Sequence, residues 1–318
     1  MNNNSQISSP AITIIVAAFN AEKYISRCIE SIIDQSITNY ELLIINDGST
    51  DNTKDIIEYY QKKHPRIRSI YQQNQGVAIS RQRGLDLATG QYSIFVDSDD
   101  FFVEDFGAIL DEPPGDDVEI LYFYNKSVLS ENLDQPASIG TEYNQLVSTL
   151  LKTGEEGPIR CHHWVPWGKI IRRSLITSNN LRFEEIPFAN DVVFCSSVNC
   201  MAQNIKAVNR FLYVYTQRSD SLSNRINQKP GELQVRAKAC FRYHKIIYQY
   251  GYTISGRYPI SDFLSLLYHQ DTRLFRDLFC KVSEVGCSRW AVLAQMRGNE
   301  QGIWNKLLLY LKTVNIRT

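Results

Sequence analysis

QYSIFVDSDD, residues 91–100, joins an apolar run to three carboxylates within four positions. Tyr92–Val96 has the length and composition of a buried strand in a parallel sheet. Because side chains alternate along a strand, we expect Asp97 and Asp99 on the same side. Ligands of open α/β sheets bind beyond the carboxyl ends of the strands, and paired carboxylates suit Mg²⁺ together with phosphate oxygens. The stretch therefore predicts a metal–diphosphate site, with a helix cap by Asp97 or Asp99 as the alternative.

Before this stretch the sequence alternates between apolar strands and amphipathic helices. The predicted strands are Ile12–Ala18, Leu42–Ile45 and Ile67–Tyr71, and the predicted helices are Tyr24–Ile33, Asp51–Lys63 and Gly76–Ala88. We expect Asn20 to cap the first helix and Gly90 to end the third in the left-handed conformation. Strands joined by helices through short links form parallel sheets with right-handed crossovers. Residues 11–100 thus predict an α/β, Rossmann-like fold with a mostly parallel central sheet flanked by helices.

Two widespread nucleotide-binding motifs are absent from the sequence. No GxGxxG follows the first predicted strand, and no GxxxxGK[ST] occurs. The first absence argues against a dinucleotide-binding enzyme, and the second argues against a P-loop nucleotide hydrolase.

After Asp100 the alternation becomes less regular. We predict strands at Glu119–Asn125 and Ala207–Tyr215, a helix at Tyr143–Leu151, and a second helix that opens at Asn190-Asp191. From Pro230 onward the pattern is helical. The boundary is placed near residues 228–231, which gives a catalytic domain at 1–229 and a helical C-terminal region at 230–318.

Composition excludes several classes of protein. The 318 residues carry a formal net charge of zero, so no global charge favours nucleic acid. Seven cysteines without a CxxC pair indicate reduced, cytosolic usage and neither a disulfide framework nor a zinc site. No uncharged apolar stretch reaches the ~18 residues of a membrane-spanning helix, so we predict none.

Five motifs resemble those of family 2 glycosyltransferases with the GT-A fold, of the bacterial polysaccharide and lipopolysaccharide type. The resemblance covers roughly residues 11–216, and the motifs occur in the order and spacing typical of that family. They are Ile14–Tyr24 (IIVAAFNAEKY), Asn46–Asp51 (NDGSTD), Asn74–Val77 (NQGV), Arg81–Gly84 (RQRG) and Val96–Asp100 (VDSDD).

The resemblance implies roles on the side of a nucleotide-sugar donor. Asp47 would accept a hydrogen bond from the base, Phe19 would pack on it, and Arg81 would face the pyrophosphate. Asp97-Ser98-Asp99 resembles the DxD motif, with Asp99 as the direct ligand of Mn²⁺ or Mg²⁺ and Asp97 near the ribose or the metal. The predicted donor-binding set is Ala17, Phe19, Asn20, Asp47, Gly48, Arg81, Asp97, Ser98 and Asp99.

The resemblance also implies roles on the acceptor side. The family carries a general base in a Glu-Asp pair at a helix start, and here the pair is Asn190-Asp191, so Asp191 takes that role. Trp167-Gly168-Lys169 is similar to a Trp-Asn-Lys acceptor motif. Arg218 and Ser221 fall where the family has a loop that closes over the donor. Two alternatives stay open: Asp191 as a helix-start charge only, and Lys169 as a solvated surface lysine.

The activity implied is metal-dependent, inverting transfer of a sugar from a UDP-linked or other nucleotide-diphosphate donor. The acceptor would be a hydroxyl of a glycan or a lipid-linked molecule in cell-surface polysaccharide biosynthesis. One alternative is a nucleotidyltransferase that makes sugar nucleotides, but Phe19–Glu22 is not the Gly-rich, basic loop that it requires. Another is a non-catalytic sugar-nucleotide-binding subunit, against which the intact Asp97, Asp99 and Asp191 argue.

The C-terminal region differs in charge from the rest of the chain. Residues 231–318 hold 13 Lys and Arg against 6 Asp and Glu, and they are rich in aromatic residues. Helices of this kind can lie at an anionic membrane surface. We predict a cytoplasmic protein in peripheral contact with the inner face of the membrane. The alternative is that these helices pack on the catalytic domain or form a dimer contact, which leaves oligomerisation open.

Overall fold

The computed structural model describes residues 10–35, 39–104, 106–107, 115, 117–218, 231–254 and 259–297. The chain forms two compact units, Met1–Arg225 and Ile226–Thr318. The predicted domain boundary near residues 228–231 falls almost entirely outside the described residues and stays a prediction. Ser221 also lies outside them.

The first half of the larger unit has the predicted alternation. Its elements are β1 (Ile12–Ala18), α1 (Ile25–Ile33), β2 (Tyr40–Asn46), α2 (Thr53–Lys63), β3 (Ile67–Tyr71), α3 (Val77–Leu87) and β4 (Tyr92–Asp97). β1 pairs in parallel with both β2 and β4, and β2 pairs in parallel with β3. The parallel, Rossmann-like half of the fold is therefore confirmed.

Strand register brings the candidate site residues to one edge of the sheet. Ala17 lies opposite Asp97 on β4, and Ala18 lies opposite Asn46, the last residue of β2. The carboxyl ends of β1, β2 and β4 thus lie side by side at one edge of the sheet. This edge is where parallel α/β sheets bind ligands.

The second half is more mixed than the sequence pattern predicts. Its elements are β5 (Phe101–Phe102), β6 (Ile120–Leu129), β7 (Asn132–Pro136), α4 (Glu142–Thr153), α5 (Gly157–His162), β8 (Lys169–Arg172), α6 (Arg173–Ser178), α7 (Val192–Met201) and β9 (Ile205–Gln217). The sheet order is β3-β2-β1-β4-β8-β6-β9-β5, with β7 beside β6. β8 is antiparallel to both β4 and β6, whereas β6 and β9 are parallel.

The central strands are buried on both faces. Ile14 and Val16 of β1 pack with α1 and α2, whereas Ile15, which points the other way, packs with α3 and α7. Helix α3 approaches β1 closely at Gly84, where a Cβ would lie 2.4 Å from the Cγ2 atom of Ile15. A continuous apolar strand without alternation is what two covered faces require.

Two predicted helix caps are wrong. Helix α1 begins at Ile25, five residues after Asn20, and Asn20 itself adopts a positive φ of 49°. Gly90 is not among the residues with positive φ, and α3 ends at Leu87 with an extended Ala88 after it. A Cβ at Gly90 would lie 2.5 Å from the backbone nitrogen of Thr13, so close approach of two backbones explains this glycine.

The smaller unit is helical in its described residues, as predicted. It contains α8 (Glu232–Gln249), α9 (Pro259–Gln270), α10 (Thr272–Lys281), a 3₁₀ turn (Val282–Val285) and α11 (Arg289–Arg297). Across the described parts of both units, no helix has the length and apolarity needed to cross a membrane.

Candidate active site

The loops that follow β1 and β2 are bonded to each other at the site edge. The backbone N–H of Asn20 donates to Oγ of Ser49 at 3.0 Å, and the N–H of Thr50 donates to Oδ1 of Asn20 at 2.9 Å. Asn20 therefore holds the two loops together. Its neighbour Phe19 is 49% exposed, which leaves the ring available to pack on a flat ligand.

Asp47 is buried directly after β2, and its carboxylate organises the loop between β3 and α3. One oxygen accepts from Nε2 of Gln72 at 2.7 Å and from the N–H of Gln75 at 2.9 Å, and the other accepts from the N–H of Gly76 at 2.8 Å. A carboxylate offers about four acceptor positions. One position thus remains for the base contact that the resemblance implies. Gly48, at φ 74°, lets this loop approach closely, because a Cβ would lie 2.8 Å from the nitrogen of Asn74.

Asp97 and Asp99 are each paired with an arginine. Oδ1 of Asp97 accepts from Nη2 of Arg81 at 2.5 Å, and Oδ2 of Asp99 accepts from Nη1 of Arg218 at 3.1 Å. Each of the two acidic side chains keeps about a quarter of its surface exposed. The structure thus brings together four predicted site residues. The helix-cap alternative is wrong, since the next element after Asp99 is the short strand β5.

The charge balance at Asp99 suits a divalent cation. Burial and the nearby charge of Asp97 raise the pKa of Asp99, and Arg218 only partly opposes them. Within the described ranges, no group of three or more His, Cys, Asp or Glu side chains could hold a metal ion. Two carboxylates completed by phosphate oxygens of a ligand form the kind of oxygen-rich set that Mg²⁺ or Mn²⁺ accepts. Asp97 and Asp99 therefore fit the predicted metal site.

The third carboxylate of the stretch has a structural role that the sequence pattern did not indicate. Asp100 is 1% exposed and accepts from the hydroxyl of Tyr213 at 2.6 Å and from the N–H of Thr216 at 2.7 Å. Burial and the charges of Asp99 and Asp97 raise its pKa well above the ordinary value. Asp100 thus fastens the end of β9 behind the two exposed carboxylates.

Arg27 of α1 is a second residue that sequence reasoning missed. Its Nη2 donates to the backbone carbonyl of Asp99 at 2.9 Å, and its guanidinium lies 4.7 Å from the ring centroid of Phe101. The arginine therefore fixes the backbone on which Asp99 is carried. It lies outside all five motifs, so no pattern in the sequence pointed to it.

Asp191 lies immediately before α7, at the N-cap position, but its side chain makes no capping hydrogen bond. Ala189, two residues before Asp191, has a positive φ of 53°, a strained conformation for alanine. Burial alone would lower the pKa of Arg81. The carboxylates of Asp97 and Asp191 outweigh this effect of burial and raise the pKa. Arg81 thus lies within electrostatic reach of both the DxD-like pair and the predicted base.

Trp167 is buried and supports the site from behind. Its ring stacks on Tyr213 with centroids 5.3 Å apart, and it meets Tyr143 edge-on at 5.4 Å. The hydroxyl of Tyr213 also accepts from the N–H of Asp97 at 3.2 Å. Trp167 is 5% exposed, so in this conformation it braces the carboxylate loop and presents little surface to an acceptor.

Lys169 and Asn190 are also buried, at 0% and 8% exposure. The interpretation of Lys169 as a solvated surface lysine is therefore wrong. Its Nζ donates to Oδ1 of Asn199 at 2.9 Å and to the carbonyl of His163 at 3.3 Å. Asn190 makes local hydrogen bonds, since its Nδ2 donates to the carbonyl of Ile186 at 3.4 Å and its backbone carbonyl accepts from the backbone N–H of Glu184 at 3.3 Å.

Sequence comparison places the chain among known glycosyltransferases. Residues 13–110 match the family model described as glycosyl transferase family 2. EpsJ of Bacillus subtilis, described as an uncharacterized glycosyltransferase, is 32% identical over 251 residues, which cover 74% of this chain and 70% of EpsJ. The chain spans 64 to 70% of the length of the first curated relatives that it matches.

Solved structures share the fold. TarS of S. aureus, residues 1–349 in complex with UDP-GlcNAc, has a TM-score of 0.64 at 20% identity, over 89% of this chain and 83% of TarS. The mannosyltransferase PcManGT of Pyrobaculum calidifontis, in complex with GDP-Man and Mn²⁺, has a TM-score of 0.51 at 15% identity, over 98% of this chain and 82% of that one. At these identities the likeness establishes the architecture.

Proposed function

Since the chain belongs to glycosyltransferase family 2, we propose that it transfers a sugar from a nucleotide-diphosphate donor to an acceptor hydroxyl with inversion at the anomeric carbon. One observation carries the proposal. Arg81 of α3 is in contact with Asp97 at the end of β4, and it lies within electrostatic reach of Asp191 at the start of α7. With Asp99 beside Asp97, this arrangement would combine a cation-binding pair, a fixed positive charge and a base.

The donor side is assigned from the loops after β1 and β2. Phe19 would pack on the base, Asp47 would use its remaining acceptor position, and the backbone of Ala17 with Asn20, Gly48 and Ser98 would line the pocket. UDP is the favoured nucleotide, because the TarS structure of the same fold holds UDP-GlcNAc. The GDP-Man complex of PcManGT shows that the fold also accepts another base.

Asp99, with Asp97 beside it, would hold a divalent cation against the diphosphate. Such a cation supplies charge stabilisation for a leaving phosphate. The Mn²⁺ in the PcManGT structure supports this assignment. Arg218, which pairs with Asp99 in this structure, would exchange that carboxylate for a phosphate oxygen when the cation takes its place.

The chemical step needs one base and direct attack. The carboxylate of Asp191 takes the proton of the acceptor hydroxyl while the oxygen bonds to the anomeric carbon. The bond from that carbon to the phosphate oxygen breaks, and the nucleoside diphosphate leaves with the electron pair. Arg81 adds positive charge beside the site where the leaving group becomes negative. A single displacement of this kind inverts the anomeric configuration.

The acceptor is proposed to be a hydroxyl of a glycan or a lipid-linked molecule in cell-surface polysaccharide synthesis. A cytoplasmic location, with contact to the inner face of the membrane, would bring the enzyme to such acceptors. This part of the proposal rests on the family resemblance.

A donor screen tests the function. The purified protein is incubated with a panel of sugar nucleotides and Mn²⁺, with and without acceptors, and released nucleoside diphosphate is measured. We expect one donor to dominate and EDTA to abolish release. Asp99→Ala should do the same, with a loss of about 10²-fold or more.

The matched control for this substitution is Asp86→Ala, which removes a half-exposed carboxylate from a pair with Arg182 on the same unit. This control should keep wild-type transfer. Full activity of Asp99→Ala, or of the wild type in chelator, would contradict the metal assignment. Failure of every donor in the panel would contradict the proposed function.

A further inference from the structure

A buried polar network lies against helix α7, outside the donor-binding residues. Its centre is Asn199, which is 0% exposed. Oδ1 of Asn199 accepts from Nζ of Lys169 at 2.9 Å and from the hydroxyl of Tyr122 at 2.8 Å, and Nδ2 donates to the carbonyl of His163 at 2.8 Å. All these partners are buried. The amide of Asn199 is thus fixed from three sides.

This network is tied to the same helix that begins at Asp191. Asp191, Cys195 and Asn199 are spaced by four residues, so they lie along one face of α7. Arg160 donates to the backbone carbonyls of Asn199 and Ala202 at 2.5 and 2.7 Å, which holds the far end of the helix. A displacement of Asn199 would therefore tilt α7 and change the position of Asp191 at its start.

Lys169 also brings a charge to this face. Burial lowers the pKa of its ammonium, while the Cys195 thiol and the carboxylate of Asp191 oppose that change. Burial and Lys169 together lower the pKa of His163 well below its ordinary value, so the imidazole beside the ammonium stays neutral at pH 7. Asp191 is the carboxylate that acts on the pKa of the Lys169 ammonium.

We propose that Lys169 is a positioning residue for the transfer reaction, which anchors α7 through Asn199 and interacts through its charge with the carboxylate of Asp191 at the start of the same helix. The proposal rests on the proposed role of Asp191 as the base. It replaces the acceptor contact expected for Lys169. Asp191 also interacts electrostatically with Arg81 of α3, Tyr143 of α4 and Cys195 of α7 itself.

The first test is the pH dependence of transfer in Lys169→Met. Methionine keeps most of the buried volume and removes the charge. We expect the acidic limb of the rate profile to move up by about one pH unit, as for a unit charge roughly 12 Å away at an effective dielectric constant of about 20. Rates below that limb should fall about tenfold relative to the wild type.

Tyr122→Phe is the matched control. It removes the other hydrogen bond to Oδ1 of Asn199 without removing a charge. Its acidic limb should stay at the wild-type pH even if its melting temperature falls. A folded Lys169→Met protein with a wild-type acidic limb, or an equal displacement in Tyr122→Phe, would overturn the proposal.

A second measurement does not depend on activity or on the folding of Lys169→Met. Nitrogen-15 NMR of lysine side chains gives the titration midpoint of Lys169 in the wild type and in Asp191→Asn. We expect the midpoint to fall in Asp191→Asn, because the neighbouring negative charge is gone. An unchanged midpoint would disprove the coupling. Full activity of Asp191→Asn with a displaced midpoint would instead reject the proposed function and leave the coupling intact.

Discussion

At the scale of single residues, the sequence directed attention to the acids but not to the arginines that pair with them. Asp97 and Asp99 stand out in the sequence because they directly follow an apolar strand, whereas Asp191 was assigned through the family resemblance. The pairing of Asp97 with Arg81 and of Asp99 with Arg218 was not predicted. These pairs join residues 16 and 119 positions apart, and only the closed fold decides which arginine meets which carboxylate.

Burial was the second property that the sequence patterns did not predict. Trp167, Lys169 and Asn190 were expected on the acceptor side, and the structure places all three in the interior. A lysine is almost never fully buried without a partner, so a surface position was a natural expectation. Tyr122, His163 and Asn199, which accommodate Lys169, come from β6, a loop and α7 and share no sequence motif.

Asp191 gives the residue-scale prediction. Asp191→Asn keeps the shape of the side chain and removes the proton acceptor, so transfer should fall by about 10²–10⁴-fold while donor binding survives. Donor affinity is measured by calorimetry and transfer by single-turnover kinetics. Asp271→Asn is the helix-start control, because Asp271 caps α10 through the N–H of Leu274 at 3.0 Å. We expect Asp271→Asn to lower only the melting temperature. If Asp191→Asn did the same, Asp191 would act only as a charge at the start of a helix and not as the base.

At the scale of elements, long periodic segments were predicted well and short ones were missed. Strand β3 has the predicted bounds, and α1, α2 and α3 differ from prediction by one or two residues at their ends. β5 has two residues, and α5 and α6 have six each, so none of them shows a repeat that a pattern could detect. β7 is exposed along its whole length and therefore carries no apolar alternation.

Glu41 of β2 joins β1, β3 and the loop between α3 and β4, at the end of the sheet opposite the site. Its carboxylate accepts from the hydroxyl of Thr13 at 2.6 Å, from the N–H of Thr89 at 2.6 Å and from Arg68 at 2.9 Å. Burial alone would raise its pKa, but these hydrogen bonds outweigh burial and lower it. A carboxyl with a lowered pKa in the folded state stabilises the fold above its unfolded pKa, and that contribution is lost as the pH falls.

Glu41→Gln should therefore lower the free energy of unfolding at pH 7 by about 1–3 kcal/mol, since it leaves buried donors poorly matched. The difference from the wild type should shrink as the pH falls below about 4, because the unfolded chain then binds a proton at Glu41 more readily than the folded protein, in which the pKa is lowered. Urea titrations at several pH values measure both quantities. Glu58→Gln, which removes an exposed pair with Lys54, should change stability by no more than about 0.5 kcal/mol. A pH-independent loss in Glu41→Gln would show that packing, not charge, is responsible.

At the scale of the whole molecule, the excess of basic residues is concentrated in the C-terminal part of the chain. Residues 231–318 carry a net +7, from 13 basic and 6 acidic residues, and the chain as a whole is neutral. The predicted membrane contact rests in part on the many aromatic residues of this region, and the structure shows which of those in its described part are buried and which are exposed. Phe275 and Phe279 are buried within the helical unit, whereas Trp290 is 56% exposed. The apolar segment around residues 304–312 lies outside the described residues.

Membrane contact of the helical unit can therefore be tested through its exposed cations. Arg273, Arg276 and Lys281 lie on the surface of α10. Each basic residue near an anionic bilayer contributes about 1 kcal/mol, so replacing all three with glutamine should weaken partition into phosphatidylserine-containing vesicles by roughly 100-fold. Cosedimentation at low and high salt measures the effect.

The matched control replaces Lys54, Lys62 and Lys63, exposed on α2 of the other unit, with glutamine and should sediment like the wild type. Equal losses in both triple variants would indicate attraction by overall charge, and a wild-type protein that stays in the supernatant at low salt would exclude the membrane contact altogether.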